Sequence, residues 1–281
     1  RSEVLFTPPV GGQECTTILA LPEATAEGET IIAQNWDLFH GVKDFQVILK
    51  IPGHGGKPPL VTFTEAGQVA KIGLNGAGLG LGVNALITDN SQTGVPWIFI
   101  ARRILEATTL TQALGAILST RRACSLNYLL AKAEGEGICL ETAPVEEHSL
   151  WPEEGTLVHT NHFLRPCLRF RDLGPSFNSF PSTFIRYQRA WRGLTSRRGR
   201  IDTAGIKQVL TDHFDYPFSV CTHQNPVDEP ARRIQTCLSI ITNLTRREVE
   251  FTVGNPCQSD YLKLDFKEYL SDWPAPSTGG G

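Results

Sequence analysis

Residues 11–21 read GGQECTTILAL and join a flexible polar run to an apolar run that favours β structure. Cys15 stands at the junction of the two runs. A thiol is the most nucleophilic side chain available near neutral pH. The pattern predicts a strand that begins near Cys15 and leaves open whether this cysteine is a nucleophile or a structural residue.

Outward from this segment, the hydrophobic periodicity predicts strands on both sides of two helical regions. The predicted strands cover 31–38, 45–51, 60–64, 71–74, 76–84, 125–132, 137–142, 156–162, 237–244 and 248–253, and the predicted helices begin at Pro96 or cover 110–118, 182–194 and 203–213. Runs of strands separated by runs of helices favour stacked layers with antiparallel sheets over alternating βαβ units. Within 76–84, glycine alternates with apolar residues, which predicts a strand with one bare face that another layer or a ligand can approach.

Composition excludes several classes of protein. The 281 residues are 41% hydrophobic, and 26 Lys plus Arg nearly balance 29 Asp plus Glu, so we expect no attraction to nucleic acid or to an anionic membrane. Apolar stretches are broken well before 18 residues, which predicts that no helix spans a membrane. The seven cysteines include no CxxC pair, so we expect no metal site, and Cys124, Cys139 and Cys237 are expected to be small buried hydrophobic residues.

Polar residues at other strand ends are the natural partners for Cys15. They are Asn35, Asp37, Asn84, His159, Asn161 and His162. Cysteine, histidine and asparagine together permit a papain-like protease with His159 or His162 as the base, although a strand replaces the helix that should follow the cysteine in that class. A catalytically inactive binding protein is a further alternative.

Several short motifs stand in an order and at a spacing typical of one known family. They are CTT at 15–17, QNWD at 34–37, TEAG at 64–67, GLN at 73–75 with NAL at 84–86, TGVP at 93–96, VHTNH at 158–162 and YPFSVC at 216–221. Over about residues 1–265 the chain resembles the fungal isopenicillin N acyltransferases (acyl-CoA:6-aminopenicillanic acid acyltransferases). These enzymes belong to the cysteine branch of the N-terminal nucleophile (Ntn) hydrolases.

The resemblance implies an α+β fold with four αββα layers and stacked antiparallel sheets. It also implies a precursor, or zymogen, that cleaves itself autocatalytically between Glu14 and Cys15. Residues 1–14 would then end the released α segment, 15–270 would form the catalytic β subunit, and 271–281 would be a flexible tail. The α segment would remain as a heterodimer partner.

Individual roles also follow from the resemblance. Cys15 would be the nucleophile and, through its freed α-amino group with a reference pKa of about 7.7–8.0, its own base. Asp37 would orient the ammonium group, and Asn161 would donate to the oxyanion. Thr17 would place a hydroxyl near the scissile bond, and Arg233 would pair with the aspartate.

The chain departs from the family at three positions near the expected site. Glu14 replaces a glycine, Thr222 replaces an arginine, and Arg232 replaces a serine. We expect Asn84, Thr222 and Arg232 to contact the substrate, and the penicillin-specific substrate does not carry over. The expected reaction is amide hydrolysis or acyl transfer through acyl-Cys15, with a small N-acyl amide or acyl-CoA as substrate. No cofactor is implied, although a coenzyme A thioester could be the co-substrate.

The ends of the sequence suggest a processed or partial chain. It begins at Arg1, contains no methionine and ends in a glycine-rich run. A cytoplasmic location is favoured, and a peroxisomal one remains an alternative although the chain ends without a Ser-Lys-Leu type tripeptide.

Overall fold

Two antiparallel sheets stack face to face in the structure, a computed structural model that describes residues 13–167, 169–176, 181–271 and 273. The six-stranded sheet has the order β10-β1-β2-β11-β12-β13 and the seven-stranded sheet the order β3 to β9. The first comprises β1 (Gln13–Ala20), β2 (Ile31–Phe39), β10 (Thr156–His159), β11 (Ile234–Asn243), β12 (Glu248–Val253) and β13 (Leu262–Asp265). The second comprises β3 (Gln46–Ile51), β4 (Leu60–Glu65), β5 (Ile72–Asn75), β6 (Leu79–Ala85), β7 (Leu126–Lys132), β8 (Glu136–Ala143) and β9 (Glu146–Leu150).

Helices cover the outer face of each sheet. The helices are α1 (Trp97–Leu105), α2 (Leu110–Leu118), α3 (Ser182–Thr195), α4 (Thr203–Leu210) and α5 (Lys267–Ser271). Thr109 and Asp202 cap α2 and α4 by accepting hydrogen bonds from backbone N–H groups of the first turn. The first two helices pack on β5, β6 and β7, and α3 and α4 pack on β1, β2, β10 and β11. The four αββα layers predicted above are thereby confirmed.

Strand β1 is buried on both faces, and its side chains alternate between two apolar clusters. Ile18 and Ala20 join the cluster beneath α3 and α4, whereas Cys15 and Leu19 join the larger cluster that includes the space between the sheets. The alternation therefore turns Cys15 toward the second sheet.

Strand β6 carries the glycine alternation, and its bare face lies against the other sheet. A Cβ atom on Gly80 would lie 2.6 Å from Leu244 Cδ2 and 2.9 Å from Ile32 Cδ1, and one on Gly82 would lie 3.3 Å from Gln34 Oε1. The prediction of a strand that a second layer approaches closely is confirmed.

Two predicted elements are shorter than expected. The strand predicted over 156–162 ends at His159, and the helix predicted over 203–213 ends at Leu210. Among the residues that the structure describes, no helix is long and apolar enough to cross a membrane.

Candidate active site

Cys15 lies on β1, between β2 and β10, and its side chain is buried. Burial raises the pKa of its thiol to about 12, and the Lys71 ammonium group is the strongest influence in the opposite direction. The Gln34 side chain also hydrogen bonds with the thiol and lowers its pKa. With Glu14 and Cys15 joined by a peptide bond, the Cys15 thiol is therefore protonated at neutral pH.

Lys71 was not singled out by the sequence, yet its charge lowers the pKa of the Cys15 thiol more than any other group does. Its Nζ lies 3.2 Å from the Trp36 ring centroid and 3.1 Å from Glu65 Oε1. Burial lowers the pKa of Lys71, and the neighbouring Glu65 carboxylate opposes that shift. A lysine so enclosed stabilises negative charge on a nearby sulfur.

The peptide groups on both sides of the Cys15 side chain are held by buried polar groups. Cys15 N donates to Asn161 Oδ1 at 2.8 Å. Cys15 O accepts from Arg186 Nη1 at 2.8 Å and from Asn84 Nδ2 at 3.4 Å. The backbone of the cysteine is therefore fixed in position by three side chains from three different elements.

Glu14 lies in register with Asp37 on the neighbouring strand, and both side chains are fully buried. Arg186 Nη2 is 3.2 Å from Glu14 Oε2, and Ser182 Oγ donates to the same oxygen at 3.0 Å. Because Arg186 and Ser182 are four residues apart on α3, one helix face holds the residue that precedes Cys15.

Asp37 shares this enclosed, charged environment. Burial raises the pKa of the Asp37 carboxyl to about 7, although Arg186 and a hydrogen bond from Thr236 act to lower it; the Glu14 carboxylate raises it further. Thr236 Oγ1 donates to Asp37 Oδ1 at 2.6 Å. The carboxyl of Asp37 therefore changes charge near neutral pH.

Thr17 and Asn84 are hydrogen bonded to each other, and Asn84 also donates to the Cys15 carbonyl. Thr17 Oγ1 donates to Asn84 Oδ1 at 2.8 Å, and that oxygen also accepts from Asn127 Nδ2 at 2.9 Å. Asn84, expected to contact substrate, is fully buried and bonded to the backbone of Cys15 in the uncleaved chain.

Asn161 contacts Cys15 as expected, but with a different atom. Its Oδ1 accepts from Cys15 N and from Arg186 Nη2 at 2.9 Å, while its Nδ2 donates to Ala85 O at 2.9 Å. The amide oxygen therefore faces the cysteine backbone in the uncleaved chain.

The predicted pairing of Arg233 with Asp37 is wrong. Arg233 precedes β11, and its guanidinium group donates to Asp228 O at 3.1 Å and Pro226 O at 2.9 Å. The arginine whose charge acts on Asp37 is Arg186, which reaches the strand from α3. Periodicity alone could not identify it, because an arginine in a helical pattern normally indicates a solvated face.

Thr222 and Arg232, both expected to contact the substrate, differ in their exposure to solvent. Thr222 is buried, and its backbone N–H donates to Thr236 Oγ1 at 3.0 Å, which connects it to Asp37. Arg232 is exposed, with Nε 3.6 Å from Glu229 Oε2. Arg232 lines an open cavity.

That cavity has a volume of about 720 Å³ and adjoins the buried site through Ser182. Its apolar lining includes Ile185, Phe218 and Ile234. Its charged lining comprises Asp215, Asp228, Glu229 and Arg232. A site of this size and mixed lining is suited to a small organic molecule.

Neither histidine that was considered as a base bonds to Cys15 in the described structure. His159 Nδ1 and Nε2 each lie 2.8 Å from an oxygen, of Thr160 and Glu141 respectively. His162 Nδ1 lies 2.8 Å from Thr183 Oγ1, and burial lowers the pKa of His162 to about 4. The geometry does not support the papain-like alternative.

The αββα sandwich, with β1 in the interior of its six-stranded sheet, has the fold of the Ntn hydrolases. Residues 24–258 match the family model described as "acyl-coenzyme A:6-aminopenicillanic acid acyl-transferase". The chain therefore belongs to this family. The matched range begins after Cys15.

Comparisons with individual proteins agree with this assignment. The chain is 28% identical over 252 residues to the 40 kDa form of the acyl-coenzyme A:6-aminopenicillanic-acid-acyltransferase from Emericella nidulans, which covers 88% of this chain and 66% of that protein. A variant of the conjugated bile acid hydrolase from Clostridium perfringens aligns with a TM-score of 0.67 at 12% identity, covering 91% of this chain and 94% of that one. A Caenorhabditis elegans ortholog of N-acylethanolamine-hydrolyzing acid amidase aligns with a TM-score of 0.55 at 17% identity, covering 82% and 93%. The two solved structures share the fold.

Proposed function

We propose that the protein is a self-processing cysteine amidohydrolase or acyltransferase that works through an acyl-Cys15 intermediate. The observation that carries the proposal is the enclosure of the Glu14–Cys15 bond. Arg186 and Ser182 hold the Glu14 side chain, and Asn161 accepts from the amide N–H of the bond itself. Strand β10 pairs with β1 only from Thr17 onward, so Asn161 takes the place of a backbone partner for Cys15 N. A strand does not need a buried Glu14 with an arginine of its own for its stability.

In the proposed cleavage, the Cys15 sulfur attacks the carbonyl carbon of Glu14 and the C–N bond breaks. The thiol proton passes to the departing nitrogen, which becomes the α-amino group of Cys15. Water then hydrolyses the thioester, which frees the thiol and leaves a carboxylate on Glu14. Asn161 is placed to accept a hydrogen bond from the nitrogen before and after cleavage.

In the processed enzyme, the α-amino group would be the base for its own thiol. Its reference pKa of about 7.7–8.0 lets it take a proton near neutral pH. Asp37 would orient the ammonium group, and Lys71 would stabilise the thiolate. The same sulfur would then attack an acyl donor, and water or an amine would accept the acyl group.

The charge of the cavity favours an N-acyl amide over acyl-CoA as the donor. Among its described lining residues, three are carboxylates and one, Arg232, is a cation. Such a lining repels the phosphates of coenzyme A and tolerates a neutral or cationic leaving group. The acyl chain would lie against Ile185, Phe218 and Ile234.

The first test is the intact mass of the purified protein beside its Cys15→Ala variant. We expect a wild-type fragment that begins at Cys15 and is absent from the variant. Cys167→Ala, which changes a half-buried cysteine in a loop, is the matched control and should cleave normally. Comparing native with denaturing mass spectra would show whether the released segment stays bound as a second chain.

A wild-type chain that remains whole would contradict self-processing and would support the inactive binding protein. The second test follows release of the free acid, and formation of a new amide, from N-acylethanolamines, penicillin-type amides and acyl-CoA thioesters. Turnover of the amides by the processed enzyme and not by Cys15→Ala is expected. Turnover of acyl-CoA alone would contradict the substrate preference proposed here.

A further inference from the structure

Four side chains that commonly bind metal ions meet outside the site described above. His213 follows α4, Cys221 and His223 lie in the loop that leads to β11, and Cys257 follows β12. One donor atom from each of them lies within 4.8 Å of every other. Three separate chain segments therefore meet at one point.

Four of the six distances between the donor atoms match a tetrahedron around zinc, and the two from His213 to the sulfurs are within 4.8 Å. Cys221 Sγ and Cys257 Sγ are 3.6 Å apart, and the Nε2 atoms of His213 and His223 are 3.1 Å apart. The distances from His223 Nε2 to the two sulfurs are 3.5 Å and 3.4 Å. Zn–S bonds of about 2.3 Å and Zn–N bonds of about 2.0–2.1 Å in tetrahedral geometry require edges of roughly 3.8 Å, 3.3 Å and 3.5 Å for S–S, N–N and S–N.

We propose that His213, Cys221, His223 and Cys257 form a structural Zn²⁺ site. Two thiolates and two imidazoles form a complete tetrahedral ligand set with no position left for substrate, which is the arrangement of structural rather than catalytic zinc. His213 and Cys257 are exposed, which gives the ion a path of entry. The sequence suggested no metal site because only Cys221 and His223 are close in the chain, and they are not a CxxC pair.

A surrounding hydrogen bond supports this assignment. Asn255 Nδ2 lies 3.5 Å from Cys221 Sγ and donates to Thr222 O at 2.7 Å. An amide that donates to a ligand sulfur stabilises its thiolate and fixes its orientation. Thr222, which lies between the ligands Cys221 and His223, is therefore held by the Asn255 side chain as well.

The site has a structural consequence for the rest of the molecule. Thr222 lies between two ligands, and its N–H donates to Thr236 Oγ1, which in turn donates to Asp37. Phe218 and Asp215, in the segment between His213 and Cys221, line the cavity. Zinc would therefore tie the wall of the cavity to the turn after β12.

The test is metal analysis of the purified full-length protein, followed by Zn²⁺ titration of protein treated with a chelator and reductant. We expect one tightly held zinc ion per chain, and Co²⁺ in its place should give the visible absorption of a tetrahedral cobalt thiolate. Asn255→Ala should weaken zinc affinity about 10- to 100-fold while retaining the four ligands. Because this readout is metal content, it is independent of cleavage and turnover.

Cys257→Ser and His213→Ala are the informative variants, since both positions are exposed and neither belongs to the two larger apolar clusters. Both should lose zinc, whereas Cys167→Ser and His54→Ala, which change a cysteine and a histidine outside the cluster, should keep it. Failure of the reduced wild-type chain to take up stoichiometric Zn²⁺ would overturn the proposal. A Cys221–Cys257 disulfide that persists in the purified protein, detected as the loss of two hydrogens in mass, would overturn it too.

Discussion

At the scale of single residues, Arg186 is the group on which the candidate site depends most. It contacts Glu14, the Cys15 carbonyl and Asn161 without any exposure to solvent. A buried ion pair contributes little net stability when both partners are present, but removal of one partner leaves an uncompensated charge. Arg186 therefore compensates the negative charge of Glu14, which would otherwise be unfavourable to bury beside Cys15.

Replacing Arg186 by methionine in the Cys15→Ala background should lower the free energy of unfolding by about 3–5 kcal/mol. Arg189→Met is the control on the same helix, because its ion pair with Asp212 is partly exposed, and it should cost about 0–1 kcal/mol. Urea denaturation measures both. Adding Glu14→Gln to Arg186→Met should restore part of the loss, and no recovery would contradict the pairing.

Asp37 should make the stability of the uncleaved chain depend on pH. The folded pKa of about 7 lies above the ordinary value of 3.8, so the protonated carboxyl is favoured by folding. The stabilisation that the Asp37 carboxyl gives to the folded chain is fully present below pH 3.8 and is lost as the pH rises through about 7. In the Cys15→Ala background, the stability of Asp37→Asn relative to Asp37 should therefore increase by about 2–3 kcal/mol between pH 5 and pH 8. Urea denaturation at the two pH values tests this, and a constant difference would contradict it.

The residue types of the site could be anticipated from the sequence, but their partners could not. Cys15, Asp37 and Asn161 stand at predicted strand ends, where side chains from neighbouring strands meet. Arg186 and Lys71 enter from other elements, and only the three-dimensional packing brings them close to Cys15. Likewise, four metal-binding side chains that are scattered in the sequence come together only after α4, β11 and β12 have packed.

At the scale of secondary-structure elements, β6 determines how closely the two sheets approach. Its glycines leave room for Leu244, Ile32 and Gln34 of the opposite sheet and the residues beside it. Alternation of glycine with apolar residues was enough to predict this feature, because period two assigns every second residue to the same face. The ends of elements were harder to predict, since a polar residue can continue or end a strand.

Gly80→Ala should destabilise the protein by about 1–3 kcal/mol, because the new methyl group would overlap Leu244 and Ile32. Gly115→Ala provides the matched control: it lies within α2, where no atom lies within 4 Å of the added Cβ. That change should stabilise the protein by about 0.5–1 kcal/mol. Thermal unfolding of the two variants should move in opposite directions, and an unchanged Gly80→Ala protein would contradict the close approach of the sheets.

At the scale of the whole molecule, one apolar cluster includes residues from both sheets and from α1 and α2. Trp36 of β2, Phe63 of β4 and Ile104 of α1 all belong to it. A core shared in this way leaves no boundary along which one sheet could separate from the other.

We expect a single cooperative unfolding transition for the Cys15→Ala chain. Tryptophan fluorescence, to which the fully buried Trp36 contributes along with four other tryptophans, reports tertiary packing. Far-ultraviolet circular dichroism reports the strands and helices. The two signals should change at the same urea concentration. Separate transitions would show that the sheets unfold independently.

The strand order of the six-stranded sheet also determines how early in synthesis the candidate site can be complete. Strand β2, which carries Asp37, pairs with β11, so Thr236 reaches Asp37 only after translation has passed β11. At about 5–20 residues per second, roughly 10–40 seconds separate the synthesis of Cys15 from that of Thr236. Asp37, which would orient the freed ammonium group of Cys15, therefore gains its Thr236 partner only after β11 has been synthesised. A ribosome that stops before β11 would release a polypeptide whose Asp37 lacks Thr236, so a complete candidate site would itself report that translation had passed β11.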